Sequence, residues 1–390
     1  MKSVHNKIAR TVTYNVIIKE IEAKTILRKH KKIDSWFISH YGMNLYRGCQ
    51  HNCVYCDGRS EGYYVEGDFG ADVTVKTNAL DVLRRELDPK RKRTPFKHSY
   101  IMVGGGVGDS YQPVEKKYEL TRKTLQLLSE KKLPVHILTK STLVKRDIDL
   151  LKKINEETRT IVSFSFSSTN KKISSIFEPG VPPPEERLRV ISFLHDEGIP
   201  CGMFLLPVIP FITDTNDILE ETIKTAYEIS VDFIIFGGMT LKEGRQKDYF
   251  SNVLQHHYPH LLSEYQMIYR GDKWGQATPN YYDSIHQTFN YLTKKYRIPK
   301  RIPPSLFTDV LSTDDLVIVI LEHLDYLLKL EGKKTPYGYA AYQISQLQEP
   351  LSTKENELEK IKGAGPTTQK IVSEILKTRK STYYEQLITG

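Results

Sequence analysis

Cysteine is scarce in this sequence. Four residues in a chain of 390 cannot form a disulfide framework at this length, so their use points to metal binding or redox work in a reducing compartment. Long hydrophobic runs are missing too: the longest, LVIVIL at Leu316 to Leu321, is far short of a membrane span. The basic N-terminal segment MKSVHNKIARTVTYNV lacks the apolar centre of a secretion signal. No internal repeat beyond a strand–helix alternation is present, and no low-complexity tract. Together these absences predict a soluble, cytoplasmic protein without a membrane partner.

What is present is positive charge. Lysine and arginine number 56 against 47 aspartates and glutamates, giving a net charge of +9. That balance favours an acidic partner, nucleic acid being the commonest. Basic runs lie at Lys90-Arg91-Lys92-Arg93, Lys294-Lys295-Tyr296-Arg297 and Lys377-Thr378-Arg379-Lys380. Each alone reads as solvated surface; the three together argue more strongly for a polyanion. With 39% hydrophobic residues the chain can bury a full-sized core and still hold a second module.

From about residue 98 to 240, strand and helix patterns alternate. HSYIMVGGG, VHILTKS, TIVSFSFSS, CGMFLLPVIP and DFIIFGG read as strands. The segment Val114 to Lys131, DIDLLKKINEE, PPEERLRVISFLHDEG and Asp217 to Ser230 read as the helices between them. Upstream, MNLYRG is expected to be the first strand and LDVLRREL the helix before the second. Strands separated by helices pair in parallel through right-handed crossovers. The expected fold class is α/β: a partial parallel (β/α)6 barrel followed by a mainly α-helical C-terminal region. Chemistry in such folds gathers at the C-terminal edge of the strands. There the sequence places Gly104-Gly105-Gly106, Thr139-Lys140-Ser141, Ser165 to Ser168 and Gly237-Gly238. The expected division is a lead-in at 1–42, the core at 43–250, an aromatic and basic helical extension at 251–350 and a module at 351–390.

Three of the four cysteines fall in YRGCQHNCVYCDGRS, residues 46 to 60. Cys49, Cys53 and Cys56 are spaced C-x3-C-x2-C, with Gly48 and Asn52 easing the backbone. A structural zinc site wants four protein ligands, and His51 would have to fold back sharply to be the fourth. Cys201 falls at a strand start, on the opposite edge of a parallel sheet, and reads as a small core residue. Three thiolates on a cube of four irons leave one iron open to a small molecule.

Placed after the first strand of a partial parallel barrel, this spacing resembles the radical S-adenosylmethionine superfamily. The resemblance implies a 4Fe-4S cluster on Cys49, Cys53 and Cys56, with S-adenosylmethionine chelated by the open iron. It further implies a reducing electron donor such as flavodoxin or ferredoxin, and cleavage of the cofactor to a 5′-deoxyadenosyl radical. Tyr55 resembles the aromatic residue that lies against the adenine. Gly104, Gly105 and Gly106 resemble the segment whose backbone meets the methionine amino group, where a missing Cβ permits close approach. Lys140 is placed to pair with the cofactor carboxylate, and Ser165 or Ser167 to hydrogen-bond it or its ribose. A flexible turn, a surface lysine and capping serines are the competing readings.

KSTLVKRDIDLLKKI, GDSYQPVEKKYELTR and the stretch from Phe177 to Asp214 are similar to the branch containing spore photoproduct lyase and DNA-repair photolyase-like proteins. That branch implies a lyase that splits a cross-linked thymine dimer and returns a hydrogen atom through a cysteine. Here the corresponding strand end, VGGGVGDSYQP, has no cysteine. Tyr111 is an alternative hydrogen relay or a packing residue. Asp109, Gln112 and Glu115 are candidates for substrate or cofactor hydrogen bonds. At the other end of the chain, LEKIKGAGPTTQKIVSEILKTRKSTYYEQL resembles the helix-hairpin-helix motif of DNA-repair and replication proteins. Its hairpin glycines Gly363 and Gly365 would admit a DNA phosphate, with Lys362, Thr367 and Lys370 adding charge and hydrogen bonds. The sequence leaves open a radical enzyme acting on nucleic acid, one acting on a protein, peptide or small molecule with the hairpin as a docking module, and a non-catalytic zinc protein.

Overall fold

The computed structural model describes residues 16–63, 65, 67–91 and 96–389. Lys92 and Arg93 of the first basic run, and the N-terminal segment through Asn15, lie outside the described residues. The strands are β1 (Ile17–Ile21), β2 (Leu27–Asp34), β3 (Ser39–Met43), β4 (Tyr46–Arg47), β5 (Asp72–Lys76), β6 (Tyr100–Val103), β7 (Val135–Thr139), β8 (Thr160–Phe166), β9 (Cys201–Val208) and β10 (Phe233–Gly238). Seven of them form one sheet in the order β10-β9-β8-β7-β6-β3-β2. From β3 to β10 all neighbours are parallel, and β2 lies antiparallel on the edge. The partial barrel has the six parallel strands expected, five of them where the sequence placed them and the first shifted to β3. The remaining three make a small sheet, β1-β5-β4.

Helices fill the crossovers: α1 (Ala79–Glu86), α2 (Glu115–Tyr118), α3 (Leu120–Glu130), α4 (Ile148–Glu157), α5 (Lys171–Phe177), α6 (Pro184–Asp196) and α7 (Asn216–Glu228). Each strand serves two cores because its side chains alternate. Val162, Phe164 and Phe166 of β8 pack in the core shared with the crossover helices, while Ile161 packs on the other side. The C-terminal region is α8 (Arg245–His257), α9 (Leu262–Ile268), α10 (Pro279–Lys295), α11 (Thr313–Lys329), α12 (Tyr337–Ser345), α13 (Pro366–Thr378) and α14 (Thr382–Thr389). Of these, α11 to α14 pack on Ile161's side, α10 joins the first core through Ile285, Phe289 and Leu292, and α8 and α9 pack with Tyr55 in a third. Helix α11 carries LVIVIL and is buried nearly all round, as a core helix is. No helix among the described residues is long and apolar enough to cross a membrane.

Several expectations need correction. MNLYRG is not one strand: Met43 ends β3, and the chain then turns so that Tyr46 and Arg47 pair with Val75 and Thr74 in the small sheet. The boundary at 42/43 therefore cuts through β3, and the lead-in supplies its antiparallel neighbour β2. The segment Val114 to Lys131 is two helices, broken where Glu119 adopts a left-handed φ of 53°. Residues 351–390 are not a detached module. Leu351, Leu358, Ile371 and Tyr384 share one core with Ile33, Tyr100 and Phe233 of the sheet. Two basic runs are also less available than their sequence suggests. Lys294 and Lys295 are paired with Glu331 at 2.8 Å and Glu220 at 2.5 Å, and Arg379 donates to the carbonyls of Thr308 and Leu311, both at 2.7 Å.

Candidate active site

The cysteine loop follows β4 and is wound by successive turns. Asn52 N–H donates to the Cys49 carbonyl at 3.1 Å, Cys56 N–H to Cys53 at 3.3 Å and Arg59 N–H to Cys56 at 3.1 Å. Asn52 has a left-handed φ of 53° and Gly48 one of 78°. A Cβ on Gly48 would stand 2.2 Å from the Asp72 carbonyl oxygen, so glycine is required there. Three neighbours clamp the loop. The buried Arg59 guanidinium donates to the carbonyls of Cys53 and Asn52. Gln112 accepts from Gln50 N–H at 2.9 Å and donates to the Gly48 carbonyl at 3.1 Å. Gly180 packs so closely that a Cβ would lie 2.3 Å from the Gln50 carbonyl oxygen.

Held this way, Cys49, Cys53 and Cys56 are free thiols lining one cavity of about 420 Å³. Gly105, Gly106, Lys140 and Ser165, at the C-terminal ends of β6, β7 and β8, form part of the same wall with Tyr55 of the cysteine loop. A second part is apolar: Trp36, Phe37, Leu138, Leu206 and Met239. Burial pushes the Cys53 thiol up to about 12 and also raises Cys49 and Cys56. A cationic centre is what would favour their thiolate forms.

The donor set discriminates between a single metal ion and a cluster. Among the described residues no His, Cys, Asp or Glu group is gathered closely enough for a single metal ion. His51, the fourth ligand that zinc would need, lines the same cavity: Nδ1 lies 3.1 Å from the Gly180 carbonyl oxygen, while the buried Nε2 lies 3.1 Å from Asp109 Oδ2 without a hydrogen bond among the described residues. Three thiols around a shared cavity with no fourth ligand fit a 4Fe-4S cluster that keeps one iron open.

Behind the wall formed by Tyr55, Lys140 and Ser165 lies a residue that sequence reasoning missed. Glu178 is fully buried and accepts from Tyr55 Oη, Lys140 Nζ at 3.3 Å, Ser174 Oγ at 3.0 Å and Arg187 Nη2 at 2.7 Å. Burial alone would raise its pKa, but Lys140 and Arg187 beside it hold the carboxyl well below the usual range. Two cations on one carboxylate leave the cluster with a surplus of one positive charge. Lys140 Nζ also donates to Ser165 Oγ at 2.8 Å, so that surplus faces the cavity, where a carboxylate ligand would neutralise it. The one available signal was Glu178 itself, a charged residue immediately before a Pro-Gly turn.

The other expected residues separate. Gly104 does not line the cavity; its φ of 81° lets it pass the Leu138 carbonyl, which a Cβ would approach to 2.5 Å. Asp109 lines the cavity but is committed to the scaffold, accepting from Thr139 Oγ1 at 2.8 Å and Lys140 N–H at 2.7 Å. Ser167 is buried off the cavity with its hydroxyl unpartnered among the described residues. Tyr111 is fully buried, its hydroxyl 3.1 Å from Asp147 Oδ2, and does not reach the cavity. Packing is its observed role. Glu115 accepts from Thr121 N–H and Arg146 and is likewise structural. Cys201 is buried at the start of β9, on the far edge, as expected. A second cluster was missed: Asp57 and Tyr63 line the cavity, and Lys242 Nζ is 2.7 Å from Asp57 Oδ2.

Residues 361–370 form a tight turn into α13. Gly363 has φ 85° and packs on Tyr339, which a Cβ would meet at 2.9 Å. Gly365, Lys362, Thr367 and Lys370 are exposed around the start of the helix. The preceding segment, Leu351–Lys360, is a series of 3-10 turns interrupted at Lys354 and Glu357.

Comparisons with known proteins come from both sequence and structure. Residues 43–238 match the family model described as the Radical SAM superfamily. An uncharacterized protein of Mycobacterium tuberculosis is 29% identical over 262 residues, covering 66% of this chain and 75% of that protein. Another, of Methanocaldococcus jannaschii, is 33% identical over 220 residues, covering 56% and 76%. Spore photoproduct lyase complexed with dinucleoside spore photoproduct superposes with a TM-score of 0.53 over 72% of this chain and 79% of that one, at 14% identity. At that identity the likeness is one of fold.

Proposed function

The chain belongs to the Radical SAM superfamily and is an enzyme of that type; we propose that its substrate is nucleic acid, in the repair or modification of a DNA lesion. When bound, a 4Fe-4S cluster and S-adenosylmethionine supply reductive cleavage of a carbon–sulfur bond to give a 5′-deoxyadenosyl radical. Cys49, Cys53 and Cys56 would hold the cluster. Lys140, backed by Glu178, would hold a ligand carboxylate at the cavity edge, with the Ser165 hydroxyl beside it. Gly105 and Gly106 offer backbone without side chains. Tyr55 is fixed by its hydroxyl on Glu178, so its ring stands ready for a planar group. Trp36, Phe37 and Leu206 exclude water from the far wall.

The observation that carries the nucleic-acid reading is the exposed turn at the start of α13. Lys362, Thr367 and Lys370 surround the start of the helix, where no side chain caps the first amides, and Gly365 keeps the approach open, the chemistry that receives a backbone phosphate. The net charge of +9 supports it. So does the solved structure of like fold, a lyase holding a dinucleoside photoproduct. Return of a hydrogen atom through a cysteine of this chain has no support, since the cavity is lined by no thiol beyond the three. Fluorescence anisotropy with labelled duplex and single-stranded oligonucleotides over a salt series tests the reading. Binding that weakens steeply with salt is expected; no affinity at low salt would refute it.

A further inference from the structure

We propose that strand β2 is a phosphate-binding ledge, on which Arg28, Lys29 and Lys31 take the backbone of a nucleic-acid strand while a base enters the cavity. The inference rests on the nucleic-acid reading and adds the place where the strand lies. From Lys24 to Lys32 the chain carries five lysines and arginines and no acidic residue. Arg28, Lys29 and Lys31 are exposed. Among the described residues none of the three has a carboxylate partner, whereas Lys32 is held by Glu322. The run thus differs from Lys294 and Lys295, whose charges are satisfied within the protein.

Position joins this charge to the site. Strand β2 is the last in its sheet, so among the described residues its outer edge has no strand partner, although the Leu27 N–H donates to Glu86 at 2.9 Å. Arg28 and Lys29 project from opposite faces, and Lys31 follows where the register with β3 shifts after Lys29, which lets a phosphate chain be gripped from both sides of the edge. At the Arg28 end, β2 pairs with Gly42 and Met43 at the C-terminal end of β3. The next residue, Asn44, has its side-chain oxygen 3.9 Å from where a Cβ on the cavity-lining Gly106 would be. At its other end, β2 runs into the turn that places Trp36 and Phe37 on the cavity wall. Unpaired cations leading to aromatic rings are the combination by which proteins hold a strand and stack its bases.

Lysines on an edge strand can also serve only to block strand addition, and the test separates the two roles. The full-length Arg28→Gln/Lys29→Gln/Lys31→Gln variant is compared with wild type by anisotropy on a single-stranded oligonucleotide over a salt series, and by size-exclusion chromatography. Affinity at low salt should fall about tenfold or more. The slope of log K against log salt should become shallower by about 2, since each phosphate of a single strand that is no longer neutralised takes away roughly 0.7. Iron content and melting temperature should be unchanged, and Arg28→Lys/Lys29→Arg/Lys31→Arg should bind as wild type. Unchanged affinity and slope in the neutral variant would overturn the ledge while the nucleic-acid reading stands. New self-association with unchanged binding would make the run an edge guard only. If wild type binds no oligonucleotide, both ideas fall.

Discussion

Two turns in this protein use the same backbone device for opposite surroundings. The cysteine loop starts from Gly48 at φ 78°, and the C-terminal hairpin turns on Gly363 at φ 85°. Around Gly48 almost everything is fixed: Arg59, Gln112 and Gly180 clamp the loop from three sides, and its open side is a cavity of about 420 Å³. Around Gly363 one side is packed on Tyr339 while Lys362, Gly365 and Lys370 face solvent. A closed, over-determined loop suits a small group that must be held at fixed geometry. An open one with cations suits a partner larger than the protein can enclose.

The contrast can be broken at either end, and the largest effect belongs to the cysteines. Cys49→Ala, Cys53→Ala or Cys56→Ala should each abolish the cluster absorbance and any cofactor cleavage, whereas Lys362→Gln should leave iron content unchanged. Glu178→Gln comes next. It leaves Arg187 and Lys140 without their shared buried carboxylate, an expected loss of about 3 to 5 kcal/mol in urea unfolding, together with weaker S-adenosylmethionine binding by calorimetry. Arg187→Gln as the partner change separates the two effects, because Lys140 then keeps its carboxylate.

Acid should act from the hairpin's side of the molecule. Burial lowers His136 to about 4 and His323 to about 3, and His323 Nδ1 is 2.7 Å from the hydroxyl of Tyr384 in α14. Both rings stay neutral when folded and take up protons when unfolded below about pH 6.5. Their contribution is therefore complete above pH 6.5 and is lost as pH falls toward 4. Urea midpoints between pH 6.5 and 5 should report uptake of about two protons, up to roughly 2.7 kcal/mol per pH unit. His323→Gln should remove about one of them.

Smaller effects sharpen the comparison at the hairpin. Lys362→Gln/Lys370→Gln should weaken duplex binding several-fold and reduce the salt slope by about 1.8, from roughly 0.9 per neutralised phosphate. Gly363→Ala should lower stability by about 1 to 2 kcal/mol, because its φ is positive and Tyr339 is close. Gly365→Ala, with ordinary φ and nothing within 4 Å, should cost under about 1 kcal/mol. Equal losses at the two glycines would erase the distinction between the packed and open sides of the turn.

The core and its chemistry were legible because they are written locally. The C-x3-C-x2-C spacing and the strand–helix units from β6 to β10 each lie within short windows of sequence, whereas the first strand was placed at MNLYRG and lies at β3. Strand β2 was not legible: LRKHKKID shows no apolar alternation, and it is a strand because β3 offers it an edge. Glu178 was hidden for the opposite reason. Its partners Tyr55, Lys140 and Arg187 are 123, 38 and 9 residues away, and only the fold brings them together. Tyr111 looked chemical because it sits on a catalytic strand end, but its side chain turns to Asp147. Residues 351–390 looked separable because their motif is self-contained, whereas their apolar face completes a core begun at Ile33.

Electron paramagnetic resonance of the anaerobically reconstituted, reduced protein, with and without S-adenosylmethionine, tests the central claim most directly. A 4Fe-4S signal that shifts when the cofactor is added is predicted, together with its loss in Cys53→Ala. Zinc in place of iron, or a cluster signal indifferent to the cofactor, would contradict the account of three thiolates leaving one metal position open.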